Sequence, residues 1–552
     1  MMTSTGQQIL VLKEGTQRSR GKEATRKNIQ AAKLISRIVR TSLGPRGMDK
    51  MLVDTLGDVT ITNDGATMLK EMDIEHPAAK MMVEISKTQD TEVGDGTTSV
   101  VVLGGTLLEK AEKLMDKDVH ATVIIDGYKQ AAKKALETLE KISVKVKPED
   151  REVLAKVAGT SMGSKLVAGD REFLAQIALN AVLAVKEKED GEIKVDIDDI
   201  KVEKKPGGST RDTALIQGIV LDKEIVHSGM PRRISDAKIA LINTPLEIEK
   251  PEFDARINIS SPDQMKMFLE EENRMLKEMV DGIVNSGASV VLCQKGLDDI
   301  AQHYLAKRGV MTVRRVKQSD MEKLSKAVGG RIVTNLEDLT SKDLGYAALV
   351  EERKIEEDKW VFIEGCRNPK SVTVLIRGGS ERVVDEAERS IHDALSVVKD
   401  VVLEPAIVAG GGAPEAEAAM RVREWATELS GREQLAAMEF ADALETIPLT
   451  LAENAGLDTI DMEVELRSKH RAGKKWTGIN VFTGNVANMM KKDVVEPLSV
   501  KEQMIKSATE VASMILRIDD VIAASATQAP PMPPGGAGGP PGMGGMEGMG
   551  EF

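Results

Sequence analysis

The sequence predicts a multidomain protein of mixed class, α+β and α/β together, helical towards both ends and α/β in the middle. Three observations lead there. At 552 residues the chain exceeds what one hydrophobic core holds, so two to four domains are expected. Apolar residues recur at helical spacing through most of 22–141 and again from 380 onward. Between those stretches, short β-branched runs alternate with helical segments.

In chain order, a helix over 24–40 carries Ile29, Ala32, Ile35 and Val39 on one face and runs into a Leu43-Gly44-Pro45 turn. Residues 51–54 and 59–62 read as two strands across Leu56-Gly57-Asp58, a hairpin that ends at Asp64. After Gly94-Asp95-Gly96, a helix aligns Leu103, Leu107, Ala111 and Leu114. A composition shift at Val146-Lys147-Pro148-Glu149 leads to a helical stretch, 151–186, and a loop at 204–209. Strand-like runs at 239–242, 290–293, 310–313 and 332–333 have helical segments between them. They predict an α/β domain with parallel pairing that ends near Gly365.

Within that domain, 247–274 is too long for an ordinary connection. It sets Ile257, Ile259, Met265, Met267, Phe268 and Leu269 among charges. Such a set is ordinarily core; in an insertion it is also a candidate contact surface for other proteins. The Pro-, Gly- and Met-rich tail, 529–552, is expected to stay unfolded because it has too little apolar surface to bury.

Composition excludes several classes. A net charge of -13 argues against a general nucleic-acid binder, and three Tyr, three Trp and seven Phe are too few for base-stacking platforms. Two cysteines make no disulfide framework, which fits a reducing cytosol. The first residues lack the basic-then-apolar pattern of a signal peptide, and no apolar run approaches the ~18 residues that span a bilayer.

Three glycine turns carry the chemistry: Thr41-Ser42-Leu43-Gly44-Pro45-Arg46-Gly47, Thr62-Asn63-Asp64-Gly65-Ala66-Thr67 and Gly94-Asp95-Gly96-Thr97-Thr98-Ser99. Amides at a glycine turn that opens a helix cradle phosphate oxygens, and nearby carboxylates hold a metal on them. That pattern points to a nucleotide with magnesium and to hydrolysis. No Walker A loop occurs, so another ATPase architecture is required. Asp95 is placed to ligate magnesium, with Gly96, Thr97 and Thr98 offering amides and hydroxyls; surface turns use the same residues. Asp64 has the same two readings.

In the helix over 384–398, Val384, Ala387, Ile391, Leu395 and Val398 form the apolar face, and at about 100° per residue Asp393 lies opposite them. It is either on a solvated face or a carboxylate aimed into a cavity to orient or deprotonate water. Val408-Ala409-Gly410-Gly411-Gly412-Ala413 brings backbone close to a ribose or phosphate, or is a loop. The six histidines show no zinc-ligand spacing, and no Gly-x-Ser-x-Gly elbow appears.

Together these segments resemble the chaperonin family. The stretches 40–52, Ile61-Thr62-Asn63-Asp64-Gly65-Ala66-Thr67 and 89–97 carry the likeness. Gly410-Gly411-Gly412 and Leu451-Ala452-Glu453-Asn454-Ala455-Gly456 extend it, so that it covers about 8–524. Gly229-Met230-Pro231-Arg232-Arg233 and the insertion after Leu246 bring it nearest the archaeal and eukaryotic-cytosol type.

The resemblance implies an equatorial domain from 1–148 and 405–526, an intermediate domain from 149–216 and 368–404, and an apical domain at 217–367. A helical protrusion at about 247–274 would serve as a built-in lid, and 527–552 would be a disordered tail. It also implies ATP and Mg2+ as cofactors. Asp95 would bind the metal, and Asp64 and Asp393 would position the attacking water. Leu43, Gly44, Pro45, Gly96, Thr97, Thr98, Ser99, Gly411 and Gly412 would hold the nucleotide, with Glu496 near the ribose and Lys165 sensing the γ-phosphate. Ile257, Ile259, Met265, Met267, Phe268 and Leu269 would contact unfolded clients. The expected partners are copies of itself or paralogues in stacked rings, without nucleic acid, membrane or a separate lid protein, in the cytoplasm. A passive holdase with the same fold and a small-molecule kinase sharing the ATP domain are the alternatives.

Overall fold

The structure is a computed structural model and describes residues 17–164, 169–248, 261–367 and 369–523. The chain enters through β1 (Gln17–Arg20) and α1 (Gly21–Arg40), then a hairpin of β2 (Lys50–Val53) and β3 (Val59–Thr62). Four helices follow, α2 (Gly65–Glu71), α3 (Pro77–Val93), α4 (Thr97–Met115) and α5 (Ala121–Ile142). After β4 (Val144–Lys145) come α6 (Arg151–Ser161), α7 (Arg171–Val185), β5 (Glu187–Glu189), β6 (Glu192–Lys194), β7 (Ile200–Pro206) and β8 (Ala214–Ile216).

The α/β region comprises β9 (Gly218–Leu221), β10 (Arg233–Ile242), α8 (Pro262–Ser286), β11 (Val290–Cys293), α9 (Asp299–Lys307), β12 (Met311–Val313), α10 (Gln318–Val328), β13 (Ile332–Val333), β14 (Gly345–Ile355) and β15 (Asp358–Glu364). The chain returns through β16 (Val372–Gly378), α11 (Glu381–Leu403), β17 (Ala406–Ala409), α12 (Ala413–Ala426), α13 (Arg432–Asn454) and α14 (Thr459–Arg471). It ends in β18 (Thr477–Asn480), β19 (Asn485–Asn488), β20 (Val495–Pro497), α15 (Leu498–Leu516) and β21 (Asp520–Ala523).

Two units result. In the smaller, β1 and β21 pair antiparallel, Gln17 opposite Ala523, and the tail expected over 527–552 lies outside the described residues. The larger is Arg26–Arg517 and contains three main hydrophobic cores.

The first core is helical and joins residues far apart in sequence: α1 to α5 pack with α12, α13 and α15. The expected faces are the buried ones, Ile29, Ala32, Ile35 and Val39 on α1 and Leu103, Leu107, Ala111 and Leu114 on α4. Tyr128 is fully buried; its hydroxyl donates to the Leu107 carbonyl at 2.8 Å, so its polar end is satisfied.

The second core lies around a seven-stranded sheet of order β12-β11-β10-β14-β15-β9, with β13 also on β10. The four strands read from sequence do pair in parallel, β10 with β11 and β13, and β11 with β12. The sheet is nevertheless mixed, because β14, β15 and β9 join it antiparallel. The Glu351-Glu352-Arg353-Lys354 run in β14 hides its strand signal. Arg353 and Glu364 pair across the hairpin at 2.8 Å, so these charges face a neighbouring strand rather than a core.

The third core packs α6, α7 and α11 against the sheet β7-β16-β8. Here the expected loop at 204–209 is corrected. β7 runs to Pro206 because β16 pairs with it in parallel throughout, and the turn begins only at Gly207.

Candidate functional site

α1 stops at Arg40, and the chain turns through Gly44 at φ +81°. Asn454, in the last turn of α13, donates from one amide to the carbonyls of Arg40 (3.0 Å) and Leu43 (2.9 Å). A side chain at Gly44 would overlap Leu451. The Leu451 to Gly456 motif is therefore the brace of the first glycine turn, with Leu43 buried, Gly44 half-buried and Pro45 exposed.

Asp64 follows β3 and caps α2, its Oδ2 accepting from the Thr67 amide at 2.7 Å. Its other oxygen accepts from the Thr97 hydroxyl at 2.9 Å. A Cβ on Gly65 would lie 2.7 Å from the Thr98 amide nitrogen, so the second and third turns are in contact through a glycine. α3 closes on Gly94 in the left-handed region, and Gly96 at φ +78° opens α4 without a side-chain cap. The first amides of α4, at Thr97, Thr98 and Ser99, therefore have no intrahelical acceptor and carry the positive end of the helix dipole. Asp95 sits half-buried beside them, accepting from the Gly96 amide at 2.6 Å.

α11 crosses both turns. Arg389 reaches the Ile61 carbonyl (3.4 Å), Asp393 groups with Asp90 of α3, and Ser396 fills the space where a Gly94 side chain would be. These three positions, four and three residues apart, share one helix face. Asp393 does lie opposite the apolar stripe, yet it is only 7% exposed because α3 and the hairpin side cover that face. The solvated-face reading is thereby excluded. Glu386 and Asp400, seven residues to either side, are buried as well. Burial pushes the Asp400 carboxyl up to about 7, against Lys399 and the Ser499 hydroxyl 3.0 Å away.

Asp90, His392 and Asp393 bring ligand atoms within 4.8 Å of one another, the one such group among the described residues. Asp90 and His392 were not singled out from sequence, although Asp90 lies in the 89–97 stretch and His392 is next to Asp393. With Asp95 and the Thr97 and Thr98 hydroxyls, the surroundings are rich in oxygen donors, the chemistry that Mg2+ selects.

The fourth turn joins the same site. β17 pairs with β20, placing Val408 opposite Glu496, and a Cβ on Gly410 would lie 2.7 Å from Glu496 Oε1. Gly411 and Gly412, both left-handed, lead into α12. Gln89 donates from one amide nitrogen to the carbonyls of Asp95 (2.9 Å) and Val500 (3.2 Å), tying the Asp95 turn to α15. Burial raises the Glu496 carboxyl above its ordinary range, with the Glu415 and Asp95 charges adding and Lys501 opposing. Lys501 and Glu415 were not read as site residues, because each stands beside other charges at its helix start, Glu502 and Glu417, and nothing in the sequence sets it apart.

Lys165 lies outside the described residues; the Asn63 amide, next to Asp64, donates to the carbonyl of Ser164. Ile257 and Ile259 also lie outside them. Met265, Met267, Phe268 and Leu269 fall on the first half of α8 and are 46, 69, 37 and 50% exposed, so they are not core. The insertion boundary at 274 is no structural break: α8 runs on to Ser286, burying Leu276, Val280 and Ile283.

The sequence profile of the TCP-1/cpn60 chaperonin family matches residues 35–526, which takes in all four turns and α11. The chain belongs to that family. Among relatives, the thermosome subunit alpha of Archaeoglobus fulgidus is 58% identical over 96% of this chain and 97% of its own. A thermosome subunit of Pyrococcus horikoshii is 59% identical over 95% and 96%. The thermosome subunit beta of Archaeoglobus fulgidus is 56% identical over 96% and 97%. The chain is thus a chaperonin of group II, the class that folds proteins with ATP, and the passive holdase is not favoured. No helix of the described residues is long and apolar enough to cross a membrane.

Proposed function

We propose that this chaperonin binds ATP with Mg2+ across the four glycine turns and hydrolyses it to drive enclosure and folding of client proteins. The observation that carries the reading is α11, which sets a buried Asp393 beside α3 while contacting both the β3 end and Gly94.

In this reading Leu43, Gly44, Pro45, Gly96, Thr97, Thr98 and Ser99 hold the phosphates, and the unpaired amides at the start of α4 supply the positive field. Gly411 and Gly412 approach the nucleoside, with Glu496 near the ribose and Lys165 at the γ-phosphate. Asp95 holds the metal, whose chemistry when bound is to neutralise charge on the phosphate oxygens. Asp393 and Asp64 orient the attacking water, and Asp393 accepts its proton. Asp64 is held for that role by the Thr67 amide and Thr97 hydroxyl.

The helical core is then the equatorial domain, the α7–α11 core the intermediate domain, and the mixed sheet the apical domain. Nucleotide binding shifts the equilibrium between open and closed forms, α11 acting as the lever. Clients dock on the exposed face of α8 in the open form and are released into an enclosed space, which removes intermolecular aggregation. Subunits, of this chain or its paralogues, assemble as stacked rings in the cytoplasm without a separate lid protein. Imaging the purified protein without nucleotide and with ATP plus magnesium tests this: double rings that close with ATP support it, and small oligomers under both conditions defeat it. Hydrolysis without any added acceptor separates it from a small-molecule kinase.

A further inference from the structure

We propose that Lys501 is a positioning residue for the nucleotide, holding the Glu496 carboxylate against the Gly410 turn where the ribose hydroxyls bind. This rests on the nucleotide reading above.

Lys501 is in the first turn of α15, its side chain almost wholly buried. Its ammonium lies 2.9 Å from Glu415 Oε1 and is also paired with Glu496 Oε2. The two carboxylates differ in access. Glu415, in the first turn of α12, is 1% exposed, and the ammonium against its Oε1 is its charge compensation. Glu496 is 21% exposed and has its other oxygen at the Gly410 backbone. A purely structural buried cation needs one counter-charge. Here the second one faces the glycine turn.

The neighbouring residue fixes the geometry further. Val500 packs 3.1 Å from the position of a Gly96 Cβ, and its carbonyl takes the Gln89 amide that also holds the Asp95 carbonyl. One turn of α15 therefore references the phosphate side of the site through Val500 and the ribose side through Lys501. Without the ammonium, Glu496 would share its surroundings with the Glu415 and Asp95 charges alone and would swing away from Gly410. Binding through the ribose would suffer, while the groups around Asp393 would stay in place.

The test uses the full-length protein and measures kcat and KM for ATP, 2′-deoxyATP and 3′-deoxyATP. Lys501→Met is expected to raise KM for ATP about tenfold, the loss of one charge-assisted hydrogen bond, with kcat changed about twofold at most. KM for the deoxy substrate that lacks the recognised hydroxyl should barely move, so the ribose preference collapses. Lys501→Arg should retain most of that preference. Because Lys501→Met leaves Glu415 buried without a partner, the double variant Glu415→Gln, Lys501→Met decides the matter if the single variant does not fold. A wild-type ribose preference kept in either folded variant overturns the proposal, and so does a wild-type protein with no ribose preference. If Glu496→Gln loses the preference and the Lys501 variants keep it, Lys501 alone is wrongly assigned. If the wild type hydrolyses no ATP, the nucleotide reading itself has failed.

Discussion

Two long helices of this chaperonin break the same rule in opposite directions. The first half of α8 shows Met265, Met267, Phe268 and Leu269 to solvent, whereas α11 buries Glu386, Asp393 and Asp400 in a seam opposite its apolar stripe. Stability alone would reverse both, since exposed apolar surface forgoes burial energy and buried carboxylates must be compensated. Each violation sits where a ligand is proposed to act, an unfolded chain on α8 and a nucleotide beside α11. Departures from local consistency mark function better than conformity does.

The contrast is broken most severely at Asp393. Asp393→Ala is expected to cut ATP hydrolysis by about 10²–10⁴-fold with nucleotide binding kept, read from phosphate release beside equilibrium binding. Unchanged turnover would return Asp393 to a structural role. Displacing α11 comes next: Gly94→Ala pushes a methyl into Ser396 and should lower turnover about tenfold, a 1 Å misplacement being enough. Adding Ser396→Gly should recover part of that loss, and no recovery would mean that the φ +63° backbone, not the helix contact, was at fault.

On the opposite helix, Met267→Asp with Phe268→Asp should leave turnover intact and weaken suppression of client aggregation several-fold. An unimpaired suppression would locate client capture elsewhere. The smallest effect concerns Asp400. Its folded carboxyl binds a proton more tightly than the unfolded chain does, so stability falls as pH rises from about 4 towards about 7. Asp400→Asn is therefore expected to be more stable than the wild type at pH 8, by on the order of 2 kcal/mol, with the advantage gone by pH 4. Thermal melts across that range check the sign.

Much of this was readable without coordinates. The hairpin at 51–62, the helix faces of α1 and α4 and the parallel strands rest on local periodicity, and local periodicity survives folding. The turns were legible as turns because glycine and aspartate favour them, but surface turns use the same residues, and it was the resemblance that gave them a nucleotide. What escaped was non-local. Sequence spacing puts Asp393 opposite the apolar stripe but cannot say that α3 covers that side. Lys501 looks like any charged residue until Glu415 and Glu496, from two other elements, are placed around it. The charged run in β14 concealed a strand because its partners come from the same sheet rather than from solvent.

The brace between Asn454 and the carbonyls of Arg40 and Leu43 spans 414 and 411 residues. At ribosomal rates of roughly 5–20 residues per second, the Gly44 turn waits on the order of 20–80 s for the amide that closes it. The mixed-sheet core has no such delay, since it draws only on the contiguous stretch from Ile219 to Cys366. A half-made chain can therefore present a finished sheet domain while the proposed nucleotide cradle is still open, so on that proposal truncated products of interrupted synthesis would be unable to consume ATP.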